Sequence, residues 1–201
     1  FQSSKNACVV GFADGNLLHY AKNDKKPTSV YFGGSQYQII LGADVSELGD
    51  LVACVCGVDN QRFIVTRITD GQSKVLYHEY LSDSLTERTF VQFAKNSHSD
   101  DVVVFYQHSQ GLGVFSLNKM KTYNIGIKGK ILSVAYTPQN NSVFVLSKLQ
   151  KDLYSIGLIN NRYEYIGSQT FNANNAFLHI QDNELYIGKD QSISRFDLQI
   201  K

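Results

Sequence analysis

The stretch Ile40-Leu-Gly-Ala-Asp-Val-Ser-Glu-Leu-Gly-Asp-Leu-Val-Ala-Cys-Val-Cys-Gly57 reads as a strand, a polar turn of about six residues and a second strand rich in β-branched and small apolar residues. The pattern returns at Phe90-Val-Gln-Phe-Ala-Lys-Asn-Ser-His-Ser-Asp-Asp-Val-Val-Val-Phe105 and at Leu132-Ser-Val-Ala-Tyr-Thr-Pro-Gln-Asn-Asn-Ser-Val-Phe-Val-Leu146. A shorter copy is Ala176-Phe-Leu-His-Ile-Gln-Asp-Asn-Glu-Leu-Tyr-Ile-Gly188. Each copy reads as an antiparallel hairpin.

Short apolar runs between these hairpins extend each copy to a unit of four strands, termed a to d in chain order. The ends of successive b strands, Gly11, Gly57, Gln107, Ser147 and Gly188, lie 46, 50, 40 and 41 residues apart. A period of roughly 40 to 50 residues built from four short antiparallel strands is that of a β-propeller blade, so an all-β fold of about five blades is expected. One such meander cannot bury both faces alone, whereas stacking twisted sheets against one another covers them. Regular short strands also suit a sandwich or barrel, but those folds do not require such a period. The expected blades are residues 5–33, 37–80, 88–127, 130–168 and 174–201 of a single domain. The first lacks strand a and the last lacks strand d.

Composition agrees with this picture. The chain has 201 residues, 43% hydrophobic and 18% charged, enough to bury a sizeable core. With 19 Lys and Arg against 18 Asp and Glu, the net charge of +1 gives no global field for nucleic acid or an anionic membrane surface. The basic groups Lys22, Lys25 and Lys26, and Lys119, Lys121, Lys128 and Lys130, read as solvated surface; no nucleic-acid partner is expected. No apolar run approaches the roughly 20 residues that span a bilayer. Three cysteines do not suggest a disulfide framework. Cys54 and Cys56 alternate with Ala53 and Val55 on one strand, where they read as small buried hydrophobes and not as a metal pair.

Phe1-Gln2-Ser3 matches the end of a common protease-cleavage linker, so residues 1–4 are expected to be a remnant outside the fold. The native sequence upstream of Ser4 is expected to carry the information on compartment: an extracytoplasmic setting with a signal or membrane tether there, with a cytoplasmic setting as the alternative.

The hairpin Ala43-Asp-Val-Ser-Glu-Leu-Gly-Asp-Leu-Val-Ala53 resembles the strand, Ser-Pro-Asp-Gly, strand hairpin of the WD40/YVTN-like propeller superfamily, and Thr137-Pro-Gln-Asn-Asn-Ser-Val-Phe-Val145 resembles it again. Trp is absent, so the Trp-Asp signature is not part of the likeness. The resemblance implies a protein-interaction scaffold.

No catalytic constellation is present. There is no Gly-x-Ser-x-Gly elbow, His-Glu-x-x-His, phosphate loop or dinucleotide fingerprint, and Gly111-x-Gly113 reads as a hairpin turn. No catalytic residue, cofactor or metal is therefore expected. His98 with Asp100 and Asp101 has a spacing that suits a cation, but it reads as a solvated turn. His78 and Glu79 face opposite ways on a strand and cannot share a site. His179, between Leu178 and Ile180 in an inner strand, reads as a structural histidine, with a ligand facing the central channel as the alternative.

In a propeller the b–c turns and d–a connections emerge on one end, where loops on a rigid scaffold carry binding. That end is expected to display Gln36, Tyr37, Asp59, Asn60, Gln61, Arg62, Arg88, His108, Gln110, Lys130 and Asn174. Tyr37, Asn60, Gln61, Arg62, Arg88, His108, Lys130 and Asn174 are the expected protein-contact residues, with Tyr and Arg as anchors. The longest d–a connection, 81–89, is the one expected to be adapted to a partner. The expected function is a non-enzymatic interaction scaffold, the soluble part of a tethered or secreted bacterial protein. Two rivals are a carbohydrate- or small-ligand-binding, lectin-like propeller and a hydrolase with a metal at the channel mouth. The b–c turns, Asp14-Gly-Asn16, Val58-Asp-Asn-Gln61, His108-Ser-Gln110, Lys148-Leu-Gln150 and Lys189-Asp-Gln191, differ from blade to blade, which counts against the repeated pockets of a lectin.

Overall fold

The apolar runs become strands in the computed structural model, which describes residues 2–82, 85–94, 101–137, 141–181 and 184–198. In chain order these are β1 (Gln2–Ser3), β2 (Ala7–Gly11), β3 (Asn16–Ala21), β4 (Thr28–Tyr31), β5 (Ile40–Val45), β6 (Leu51–Cys56), β7 (Arg62–Thr69), β8 (Gln72–Tyr80), β9 (Val91–Phe93) and β10 (Val103–His108). They continue with β11 (Gly111–Ser116), β12 (Lys121–Gly126), β13 (Lys130–Thr137), β14 (Ser142–Gln150), β15 (Leu153–Ile159), β16 (Tyr165–Asn172), β17 (Ala176–Gln181), β18 (Glu184–Lys189) and β19 (Ser192–Asp197).

The strands form five sheets in sequence order: β1 to β4, β5 to β8, β9 to β12, β13 to β16, and a three-stranded sheet of β17 to β19. Neighbours run antiparallel, as Val52↔Thr66 and Cys54↔Ile64 show for β6 and β7. Among the described residues the last sheet has three strands. Two expectations are corrected. Gln2 pairs with Val9 and Ser3 with Cys8, so residues set outside the fold supply the first strand of the first sheet. Lys148-Leu-Gln150, read as a turn, belongs to β14, and the chain reverses at Lys151 and Asp152 instead.

The hairpins are closed by a repeated local device. In the turn after β5, the Ser46 hydroxyl accepts the N–H of Leu51 at 3.1 Å while the Ser46 N–H donates to the Leu51 carbonyl at 2.9 Å. After β13, the Thr137 hydroxyl accepts the N–H of Ser142 at 3.1 Å and donates to its carbonyl at 3.0 Å. A short hydroxyl side chain thus satisfies backbone groups that the turn would leave unpaired.

The chain divides into two compact units, Phe1–Phe93 with Val103–Ser109, and Ala94–Val102 with Gln110–Lys201. In the first, Val9, Leu17 and Val30 of the first sheet pack with Val52, Cys54, Cys56 and Ile64 of the second. All six residues of β6 are buried, which is why its sequence is continuously apolar. Cys54 and Cys56 are free thiols in this cluster, as expected, and the Cys54 thiol is pushed well up by its hydrogen bond to Cys56 and by burial. Phe63 stacks on Tyr106 with ring centroids 3.9 Å apart, and the Tyr106 hydroxyl donates to Glu79. His19 is buried and its Nε2 donates to the Gly49 carbonyl at 2.7 Å. In the second unit, Ala135, Leu146 and Tyr154 pack with Ala173, Leu178 and Leu185. Full burial of each large apolar side chain contributes roughly 1.5 to 3 kcal/mol. The last strands of their sheets, β8, β16 and β19, are mostly exposed, including the apolar residues Ile166 and Ile193.

Candidate functional site

The first unit carries an open cleft of about 620 Å³ lined by Ala13, Asp14, Gln36, Tyr37, Gln38, Ile39 and Val58. Three turns build it. Ala13 and Asp14 come from the β2–β3 turn, Val58 from the β6–β7 turn, and residues 36–39 from the connection between β4 and β5. These are the b–c turns and d–a connection expected to carry binding.

The connection is held by its neighbour. Asp59 accepts the backbone N–H of Gln36 at 3.0 Å on either oxygen and that of Tyr37 at 3.2 Å, and it also takes the Ser35 hydroxyl. In return Val58 N–H donates to the Tyr37 carbonyl at 3.1 Å and Gly57 N–H to the Ile39 carbonyl at 2.8 Å. Gly57 has φ of 82° and Gly34 of 101°, left-handed values that glycine adopts without strain. The Ser35 hydroxyl, followed by the N–H groups of Gln36 and Tyr37, holds the Asp59 carboxyl far below the ordinary carboxylate range. Asp14 is oriented by Asn16, whose backbone N–H reaches Oδ1 at 3.0 Å and whose side-chain amide reaches Oδ2 at 2.9 Å. Those bonds lower its carboxyl as well.

The second unit repeats the clamp. Asp190, in the β18–β19 turn, accepts the N–H of Asn174 at 2.8 Å and of Asn175 at 3.1 Å, and its own N–H donates to the Asn175 carbonyl at 3.1 Å. Its carboxyl is likewise lowered, first by the Asn175 N–H. The sequence signal is a Gly-x-Asp that closes strand b, Gly57-Val-Asp59 and Gly188-Lys-Asp190, and sequence reasoning passed over it. It also passed over Asp14, Gln38 and Val58 as lining residues.

The expected contact residues separate by burial. Tyr37 is 62% exposed and lines the cleft. Asn60 is exposed and its amide donates to Asp59 at 3.3 Å. Arg88 is exposed on the connection between β8 and β9. Arg62 is half-buried, and its guanidinium donates to the Gly33 carbonyl and braces the connection from behind. Gln61 is interior, contrary to expectation: its amide nitrogen donates to the carbonyls of Gly57 at 3.0 Å and Leu85 at 2.8 Å, and its amide oxygen accepts the Leu85 N–H at 3.1 Å. His108 is also interior, its ring 6.2 Å from that of Tyr106. These two are removed from the surface by burial. In the second unit Lys130 is exposed at the start of β13, and Asn174 is exposed with its backbone in the Asp190 clamp. His179 is exposed beside Tyr186, at 6.4 Å between rings.

Among the described residues no group of three or more His, Cys, Asp or Glu side chains is placed to hold a metal. His98 and Asp100 lie outside those residues; Asp101 accepts the Ser116 hydroxyl at 2.6 Å and the Asn118 N–H at 3.0 Å, which gives it a turn-capping role. No described helix is long and apolar enough to cross a membrane.

Comparison with known proteins places the fold. A family model described as beta-propeller protein matches residues 1–201. An uncharacterized protein of Treponema pallidum (strain Nichols) is 28% identical over 198 residues, 98% of this chain and 51% of its own length, so the chain spans about half of that relative. A chain in the crystal structure of the mitotic checkpoint complex has 10% identity and a TM-score of 0.65, covering 98% of this chain and 59% of its own. Chaetomium thermophilum Sqt1 has 16% identity and a TM-score of 0.59, with coverage of 96% and 53%. Dihydro-heme d1 dehydrogenase NirN in complex with DHE has 12% identity and a TM-score of 0.64, with coverage of 98% and 44%. At such identities these three carry the fold alone. With five consecutive antiparallel sheets for its blades, the chain belongs to the beta-propeller proteins.

Proposed function

We propose that the chain is a non-enzymatic protein-interaction scaffold that binds its partner at the cleft around Tyr37. The observation that carries this reading is an exposed tyrosine on a fixed backbone: Tyr37 is 62% exposed, while its N–H is held by Asp59 and its carbonyl by Val58. A large, amphipathic side chain presented from a fixed backbone is the kind of group that dominates binding energy at protein interfaces. Asn60 and Arg88 extend the exposed polar surface of the same unit, while Lys130 and Asn174 are contact residues of the second. The near-neutral charge and the lack of a catalytic motif in the sequence favour binding over chemistry. One structural neighbour belongs to a protein complex, which agrees with a scaffold role.

The test is capture of partners from native cells by the full chain and by Tyr37→Ala, with Arg67→Ala as a surface control. The reading predicts a set of proteins retained by the wild type and the control and lost with Tyr37→Ala. An identical set with all three would remove the cleft from the account.

A further inference from the structure

The chemistry of the cleft restricts what part of a partner it takes. Its lining has one carboxylate, Asp14, and no cationic side chain; Ala13, Ile39 and Val58 supply apolar surface and Gln36 and Gln38 neutral amides. The second carboxylate nearby, Asp59, accepts the Gln36 and Tyr37 N–H groups, the Ser35 hydroxyl and the Asn60 amide, so its acceptor sites are taken up by the loop. Asp14 differs. Asn16 donates one bond to each Asp14 oxygen, which fixes the plane of the carboxylate and leaves acceptor capacity on both, since a carboxylate has about four lone-pair sites. As an exposed carboxylate it is ionised at neutral pH. Tyr37 provides an exposed ring in the same cleft.

A fixed carboxylate with free acceptor capacity and an exposed aromatic ring, both lining one cleft, match one side chain better than any other. A guanidinium is planar, donates two parallel N–H bonds to a carboxylate and stacks on an aromatic face. We propose that the cleft takes an arginine side chain from an extended segment of the partner protein, with the guanidinium forked on Asp14 and stacked on Tyr37. The arginine stem and the flanking residue cover Ala13, Ile39 and Val58. This rests on the interaction reading above and names the chemistry of its partner. A lysine ammonium fits less well, because it is a compact charge without the fork or the stacking plane.

The experiment is an amide-detected NMR titration of the full chain with N-acetyl-arginine amide, and with N-acetyl-citrulline amide as a neutral probe of the same shape. The proposal predicts saturable shifts confined to the amides of Ala13, Asp14, Tyr37 and Val58, with the citrulline probe weaker by about three- to tenfold. Asp14→Asn, with an otherwise unchanged spectrum, lowers the arginine response to the citrulline level, and Tyr37→Leu weakens both probes. N-acetyl-lysine amide falls below the arginine probe. Equal responses to arginine and citrulline, or no saturable response at these amides, would overturn the proposal. If the arginine probe fails while Tyr37→Ala still abolishes partner capture, the arginine anchor is wrong and the interaction surface stands.

Discussion

Asp59 and Tyr37 are joined by a 3.2 Å hydrogen bond from the Tyr37 backbone N–H to the Asp59 carboxylate, and Val58 returns a 3.1 Å bond to the Tyr37 carbonyl. A turn of the second sheet therefore sets the position of the residue that presents the cleft's aromatic ring. Replacing Asp59 with Ala removes acceptors for two consecutive N–H groups on an exposed loop. Amide exchange at Gln36 and Tyr37 is expected to accelerate, with Val55 in buried β6 unchanged. Hydrogen exchange read by residue decides this, and equal rates in the two proteins would mean that the clamp does not order the loop.

The two clamps give a pH dependence with a defined sign. Asp59 and Asp190 both have carboxyl groups lowered from 3.8 in the folded protein. A depressed folded value contributes stability that is fully present above the unfolded value and lost as pH falls through the folded one. The difference in thermal midpoint between the wild type and Asp59→Asn is expected to be constant between neutrality and about pH 5 and to shrink below about pH 4. A difference that grows on acidification would contradict the clamp.

Gln61 and Tyr37 separate structure from surface. Gln61 is 1% exposed and satisfies both backbone groups of Leu85, so Gln61→Ala is expected to cost about 1 to 3 kcal/mol in denaturant unfolding. Tyr37→Ala, at an exposed ring, is expected to stay within about 0.5 kcal/mol of the wild type. The reverse order would mean that burial has been assigned to the wrong residue.

Gly42 is a site of close backbone approach. A Cβ there would lie 2.3 Å from the Thr89 carbonyl oxygen, and the neighbouring register shift between Ile40 and Gly42 already bends β5. Gly42→Ala is expected to destabilise by about 1 to 3 kcal/mol, since main-chain atoms must move. An unchanged unfolding midpoint would show that β5 and residue 89 can separate freely.

The architecture was legible because burial imposes a period on the chain. Leu51–Cys56 is apolar at every position since both faces of β6 are covered. The Ser46 and Thr137 turns were legible as repeated hairpins, although their shared hydroxyl device was not. Gln2–Ser3 was missed because a two-residue strand has too little pattern to separate it from a linker. The end of β14 was missed since Lys148 and Gln150 are polar, while backbone pairing with Tyr154 and Leu153 holds them in the sheet. At the site, Tyr37 was legible as an aromatic residue in a connection. Gln61 and His108 were read as surface groups because a polar residue near a turn ordinarily faces water; here Gln61 turns inward to satisfy the Leu85 backbone. The clamps are pairings across 22 and 15 residues between separate loops, and no local pattern encodes them.

The central claim is that partner binding depends on the cleft built around Tyr37. Its most direct test is the affinity of a captured partner, purified, for the wild-type chain and for a Tyr37→Ala chain whose unfolding midpoint is unchanged. The account predicts a loss of roughly tenfold or more, the effect of removing an aromatic anchor. Equal affinity for the two folded proteins would contradict it.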